Sequence, residues 1–194
     1  MADARRLGSG QLVSVRRRRF LGQGLMLMLA GFGRRVWAQG LALQFRPLAR
    51  PVVVPIDDLA TPWRAQPFVA EGVTLSSAAT PNQPIRITGM VVRTGAGSDP
   101  EKFRAVCLKC PHEGCDVDFM PDPNRLPPEV KEEIGHAVEH AVYVCPCHNS
   151  TFKAEDGERL AGPAPRGLYR FRVTRVSDAA VEIAEVEEDV LIFV

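Results

Sequence analysis

The chain has 194 residues, 45% of them hydrophobic and 24% charged, which fits one globular domain with a real core plus a tail. Its net charge of +1 is unevenly spread: residues 1–38 contain eight arginines and one acidic residue, whereas residues 39–194 contain 16 basic and 22 acidic side chains. Because an acidic body lacks the positive surface that nucleic acid requires, we expect no nucleic-acid partner.

Residues 1–38 have the pattern of an export signal. Four arginines at 16–19 precede the apolar stretch 20–32, which is short for a membrane span but suits the apolar region of a signal peptide. Residues 17–21 (RRRFL) resemble the twin-arginine motif, and Val36-Trp37-Ala38 offers a cleavage site. We expect a twin-arginine signal peptide or a retained N-terminal anchor, with the body on the periplasmic side of the cytoplasmic membrane.

Residues 39–83 contain recurring prolines and little hydrophobic periodicity, which predicts an extended linker or hinge. The remainder, residues 84–194, is predicted to be all-β. The stretch 169–176 (YRFRVTRV) alternates strictly between apolar and polar residues, as a half-buried antiparallel strand does. The predicted strands are Pro84–Arg93, Phe103–Leu108, Ala141–Val144, Tyr169–Val176, Ala180–Val186 and Val190–Val194.

One helix interrupts this β pattern. Residues 128–141 place Val130, Ile134 and Val138 on one helical stripe, and Pro127-Pro128 is a suitable start. The segment 120–141 therefore has the character of a helical insertion, whose role the sequence leaves open.

Two six-residue segments, residues 110–115 (CPHEGC) and 145–150 (CPCHNS), hold four of the five cysteines and two of the four histidines. Each offers one thiolate and one imidazole in a tight loop. The pair resembles the ligand loops of the Rieske [2Fe–2S] family, and Gly162-Pro163-Ala164-Pro165 is similar to the proline loop that covers the cluster in members from cytochrome bc complexes. The resemblance covers roughly residues 84–194. It implies an antiparallel β-sandwich base domain with an inserted cluster-binding subdomain at about 107–165.

The resemblance also implies roles for individual residues. Replacing two thiolates by neutral imidazoles on one iron raises the reduction potential and couples electron transfer to loss of an imidazole proton. The inner iron would be bound by Cys110 and Cys145, and the outer iron by His112 and His148, which would carry the proton-coupled electron transfer. The other residues expected around the cluster are Gly114, Ser150, Phe152, Gly162, Pro163 and Pro165.

The family further implies a disulfide between Cys115 and Cys147, which agrees with export to an oxidising compartment. Cys107 is the fifth cysteine, and its position in a predicted strand favours a buried, apolar role. Two features depart from the pattern of cytochrome bc complexes. Phe152 occupies the position of a tyrosine that donates a hydrogen bond, and Glu113 occupies a position that is usually apolar.

Two other metal sites are conceivable. Cys107, Cys110, Cys145 and Cys147 have the spacing of a four-cysteine zinc ribbon. Residues 136–140 (HAVEH) match the H-x-x-E-H helix of inverted zinc proteases, although helical geometry places both histidines on a solvated acidic face. Neither site accounts for both ligand loops.

The resemblance thus implies an oxidoreductase subunit, the Rieske subunit of a quinol-oxidising cytochrome bc-type complex. Its partners would be cytochrome b, a c-type cytochrome and quinol at the cluster tip, with membrane association through the complex or the N-terminal anchor. The alternative is the small Rieske subunit of a periplasmic molybdenum enzyme such as arsenite oxidase. The proline loop favours the first; Phe152, Glu113 and the short apolar segment favour the second.

Overall fold

The structure, a computed structural model, describes residues 43–76 and 81–188. The predictions for residues 1–38 and for the strand Val190–Val194 lie outside them. Ten strands and one α-helix are found in this part of the chain, and none of its helices is long and apolar enough to cross a membrane. The elements are β1 (Phe45–Pro55), β2 (Ala65–Ser76), β3 (Pro81–Arg93), β4 (Phe103–Cys107), β5 (Asp118–Met120), α1 (Pro128–Ile134), β6 (Val142–Val144), β7 (Thr151–Lys153), β8 (Arg159–Ala161), β9 (Arg170–Val176) and β10 (Ala180–Glu187).

The larger sheet has six strands in the order β1-β10-β9-β4-β3-β2, all antiparallel. It curls until its two end strands, β1 and β2, contact each other. The enclosed core is apolar, and Phe68 packs edge-on against Phe171 with 5.0 Å between ring centroids. Gly89 leaves room for the Phe68 ring, which would lie 2.3 Å from a Cβ at that position. The all-β prediction is confirmed.

The linker predicted at residues 39–83 is wrong for the part that the structure describes. Residues 45–55 and 65–76 are β1 and β2, so the base domain begins at least 39 residues before Pro84. These strands were not predicted because their recurring prolines interrupt the alternation of apolar and polar residues that indicates a strand. They are tolerated here since β1 and β2 stand at the two ends of the sheet order, where one side of each strand needs no partner N–H. The β1 register also shifts between Pro47 and Val52.

The cluster-binding subdomain is an excursion between β4 and β9. These strands are neighbours in the large sheet, and the Cys107 N–H donates to the Tyr169 carbonyl at 2.8 Å. The first and last residues of the subdomain are therefore adjacent at one point of the base sheet. It contains a four-stranded antiparallel sheet, β5-β6-β7-β8. A second apolar core joins it to the base sheet through Val92 and Val106 on one side and Tyr143 and Phe152 on the other.

The predicted helix at 128–141 is only half as long. Helix α1 ends at Ile134 because Gly135 adopts a left-handed conformation (φ 73°) and donates its N–H to the Lys131 carbonyl, as a helix C-cap does. Residues 136–140 are irregular, so the H-x-x-E-H motif lacks the helix that would aim both histidines at one metal. His140 instead stacks on Trp63 of the base domain with 4.1 Å between centroids.

Candidate metal centre

The two ligand loops have the same backbone hydrogen bonds. In the first, the Cys110 N–H donates to the Cys115 carbonyl at 2.8 Å and the Gly114 N–H donates to the Cys110 carbonyl at 2.9 Å. In the second, Cys145 donates to Ser150 at 2.8 Å and Asn149 donates to Cys145 at 2.9 Å. Each loop therefore closes on its own cysteine and presents that side chain together with a histidine.

Each loop needs one residue in the left-handed region, four positions after its first cysteine. Gly114 (φ 73°) fills this place in the first loop and Asn149 (φ 58°) in the second. Glycine takes this conformation freely, and asparagine is among the few other residues that do so at modest cost. Asn149 has the same offset from Cys145 as Gly114 has from Cys110, a signal in the sequence that could have predicted this role.

The four expected ligands form a site that is buried at one end and open at the other. Cys110 and Cys145 are 1% and 2% exposed, and Cys145 is near enough to contribute to the raised pKa of Cys110. The rings of His112 and His148 lie 4.9 Å apart between centroids, nearly perpendicular, and the side chain of His148 is 46% exposed. The thiols thus form the inner end and the imidazoles form the surface tip.

The environment of Cys110 opposes ionisation of the free thiol. Burial raises the pKa of the Cys110 thiol most; the His112 backbone amide lowers it, Cys145 raises it, and a hydrogen bond from Ser150 lowers it. Because a metal binds the thiolate, metal loading here must displace protons. The same amide and hydroxyl donors would stabilise negative charge on the bound sulfur.

Cys115 and Cys147 are joined by a disulfide, with 6.6 Å between their Cα atoms, as the resemblance implied. It links the two loops directly. Cys147 is consequently unavailable to a zinc ribbon. Cys107 is fully buried, and burial raises its pKa to about 11, so its thiolate is disfavoured as well. The zinc-ribbon alternative therefore loses two of its four ligands.

The proline loop, residues 162–165, lies directly against the second ligand loop. A Cβ at Gly162 would come within 2.5 Å of the Ser150 Cα, and Gly162 has a φ of +84°. The Ala164 N–H donates to the Ser150 hydroxyl oxygen at 3.1 Å. Pro163 and Pro165 are exposed, whereas Ala164 is buried. The loop thus covers Ser150 and turns its prolines to the surface.

The two departures from the bc-type pattern lie at different depths. Glu113 is at the tip, where its carboxylate is 3.8 Å from Nδ1 of His148, and it joins both histidines in one group of possible ligand atoms. Phe152 is fully buried and pairs across strands with Tyr143, whose hydroxyl has no hydrogen-bond partner among the described residues. The tip is therefore more acidic, and the interior has one fewer hydroxyl, than the pattern expects.

The side chains present fit a Rieske cluster. Each of the two matching loops carries one buried thiol and one more exposed imidazole, the two imidazoles lie side by side, and a disulfide outside the ligand set holds the loops together. A buried hydroxyl, that of Ser150, belongs to the second ligand loop and lowers the pKa of Cys110. Thiolate ligands on one side and imidazoles on the other are the asymmetric set that this cluster requires.

Comparison with known proteins identifies the same domain. No curated protein matches the chain. The family model "Rieske [2Fe-2S] domain" matches residues 75–174, which is just over half of the chain and includes both ligand loops and the proline loop. The chain therefore belongs to the Rieske family, whose domain binds a [2Fe–2S] cluster.

Proposed function

We propose that this chain is the iron–sulfur subunit of a quinol-oxidising cytochrome bc-type complex and passes electrons to a c-type cytochrome. The cluster would be held by Cys110, Cys145, His112 and His148. The observation that carries the proposal is the exposed imidazole tip over buried thiols, because a quinol can reach the histidines without entering the protein.

The cluster and the residues around it would have separate roles in electron and proton transfer. The bound cluster supplies one-electron acceptance at the His-ligated iron. His148, with its 46% exposed side chain, would hold at its outer ring nitrogen the proton that accompanies the electron. Ser150 would donate to cluster sulfur and raise the potential, while buried Phe152 offers no second donor. We expect a potential below that of relatives with both donors, inside the range of about −150 to +300 mV.

A second candidate is the small Rieske subunit of a periplasmic molybdenum oxidoreductase such as arsenite oxidase. Glu113 favours it, since a carboxylate 3.8 Å from His148 adds negative charge where a bc-type subunit needs an apolar docking surface. The strands at 45–76 also remove the hinge that the first candidate was expected to have there. In the second candidate the cluster would relay electrons internally and would not meet quinol.

Both candidates imply export by the twin-arginine route and a position on the periplasmic side of the membrane. The arginine-rich residues 1–38 support this, as does the disulfide between Cys115 and Cys147, which persists in an oxidising compartment. Membrane association would come from the complex or from a retained N-terminal anchor.

The deciding experiment is purification of the native complex through a C-terminal tag on this chain in its own host. We expect b- and c-type haem absorption in the purified complex and quinol–cytochrome c reductase activity. A molybdopterin cofactor without haem b would establish the second candidate instead. Ligand assignment is tested separately by electron spin resonance: His148→Ala should abolish the rhombic signal of the reduced cluster, while His140→Ala, outside both loops, should retain it.

A further inference from the structure

The helical insertion contacts the proline loop through one side chain. The Glu133 carboxylate accepts a hydrogen bond from the Gly162 N–H at 2.8 Å, across 29 residues of sequence. Helix α1 cannot shift freely, since Val130 is 3% exposed and belongs to a small apolar cluster with Val142 and Ala161, the residue before Gly162. The carboxylate is therefore presented to the loop from a fixed support.

Helix stability does not explain a carboxylate at this place. Glu133 lies in the last turn of α1, where the helix dipole disfavours negative charge. Its side chain gains instead a charge-assisted hydrogen bond outside the helix, which is stronger than a neutral one.

The proline loop has only two backbone N–H groups to give, because Pro163 and Pro165 have none. Gly162 donates to Glu133, and Ala164 donates to the Ser150 hydroxyl. The loop thus bridges the insertion and the second ligand loop, with one bond to each side.

A displacement of Gly162 would also displace Ser150. The two residues approach so closely that a Cβ on Gly162 would lie 2.7 Å from the Ser150 nitrogen. The Ala164 N–H donates to the Ser150 oxygen, which leaves the hydroxyl proton free to bond a second partner.

From these contacts we infer that Glu133 is a positioning residue for the cluster. It fixes the proline loop against Ser150 and so keeps the Ser150 hydroxyl in the position from which it would donate to the cluster. The insertion thereby sets part of the reduction potential, although it contributes no ligand. This inference rests on the proposed ligand set.

The test compares three variants of the full chain. E133A removes the acceptor and the charge, E133Q removes the charge but keeps an acceptor, and E132A removes the same charge from the neighbouring exposed residue. Loss of a negative charge alone raises a reduction potential. The reduction potentials of E132A and E133Q should therefore be slightly raised or unchanged. E133A should show a lowered potential, because the Ser150 donor is no longer held.

Two further measurements separate positioning from general damage. Amide exchange of Gly162 in the cluster-free protein should become about tenfold faster in E133A and stay near the wild-type rate in E133Q and E132A. In a Ser150→Ala background, E133A should no longer lower the potential, since the group that it positions is gone.

The inference is overturned if E133A and E132A shift the potential alike, or if Gly162 exchange is the same in both. It is also overturned if E133A lowers the potential equally without Ser150. Should the wild-type protein lack a Rieske signal altogether, the proposed ligand set fails, while the exchange data still decide whether Glu133 holds the loop.

Discussion

Cys107, at the end of β4, shows what burial does to a single thiol. Burial raises its pKa from 9.0 to about 11, so the folded state holds its proton over a range in which the unfolded chain releases it. The contribution to stability is full below pH 9, falls as the pH rises toward 11, and is on the order of 3 kcal/mol. We therefore expect the wild-type free energy of unfolding to fall more steeply between pH 9 and 11 than that of Cys107→Ala.

The measurement is urea unfolding at several pH values in both proteins, with the cluster signal recorded at each. Cys107→Ala should keep its cluster, because the thiol is not a proposed ligand, and it should lose some stability at pH 7 through the cavity left behind. Parallel pH profiles in the two proteins would show that Cys107 carries no such linkage.

The residues that bear chemistry were the most predictable part of this chain. Cysteine and histidine at short fixed spacings indicate a metal site by residue type alone, and the structure does bring His112 beside His148 while burying Cys110 and Cys145 of the same two loops. Contacts between distant segments were not predictable, because hydrogen bonds such as Glu133 to Gly162 depend on tertiary placement.

At the scale of elements, the left-handed residue of each ligand loop is open to a direct test. Asn149→Gly should leave the cluster intact and stabilise the loop slightly, since glycine adopts φ 58° without a Cβ penalty. Asn149→Val should destabilise it by about 1–2 kcal/mol or more and release the cluster faster. Cluster half-life by visible absorption is the measurement, and equal half-lives for the two variants would contradict the requirement.

The disulfide is the second element-scale feature with a measurable role. Cys147→Ser opens the link across 32 residues, which the chain-entropy account values at roughly 3–4 kcal/mol. We expect the cluster to become labile while the six-stranded sheet stays folded, because the two loops depend on the link and the base core does not. Circular dichroism together with iron content tests this, with Cys107→Ser as the matched control that retains the cluster. Simultaneous loss of the six-stranded sheet and the cluster would show that the base domain and the cluster-binding subdomain unfold together.

Element prediction succeeded where side-chain period and structure agree. Strands β3, β4, β6, β9 and β10 were predicted with small errors at their ends. Helix α1 was extended too far because Ala137, Val138 and Ala141 continue its apolar stripe, whereas Gly135 ends the helix. The short strands β5, β7 and β8 were missed because three residues are too few to show a period, and each includes a charged residue, unlike β6 (VYV), which is a continuous apolar run.

For the whole molecule, deletion of β1 tests whether this segment is a dispensable linker or a strand that the base domain needs. A chain that begins at residue 57 would lack β1, which pairs with β10 and buries Leu48 and Val54 in the base core. Each such side chain contributes about 1.5–3 kcal/mol, a large share of the stability of a small domain. We expect this shortened protein to be unfolded or insoluble.

The control is the chain from residue 43 onward, which keeps every described strand and should give a cooperative unfolding transition. Thermal unfolding monitored by circular dichroism compares the two. A fully cooperative, cluster-loaded chain from residue 57 would restore the linker hypothesis for β1.

The connection from β5 to β6 has a consequence for how this protein can diversify. Met120 pairs with Val142, so the whole of 121–141 is a long hairpin loop whose two ends are already closed by the sheet. Doubling the length of such a loop costs only about 0.6 kcal/mol, and its sequence is free of the ligand loops. If its single bond to the proline loop adjusts the cluster, then lineages or engineers can vary the redox potential through this loop while every iron ligand stays unchanged.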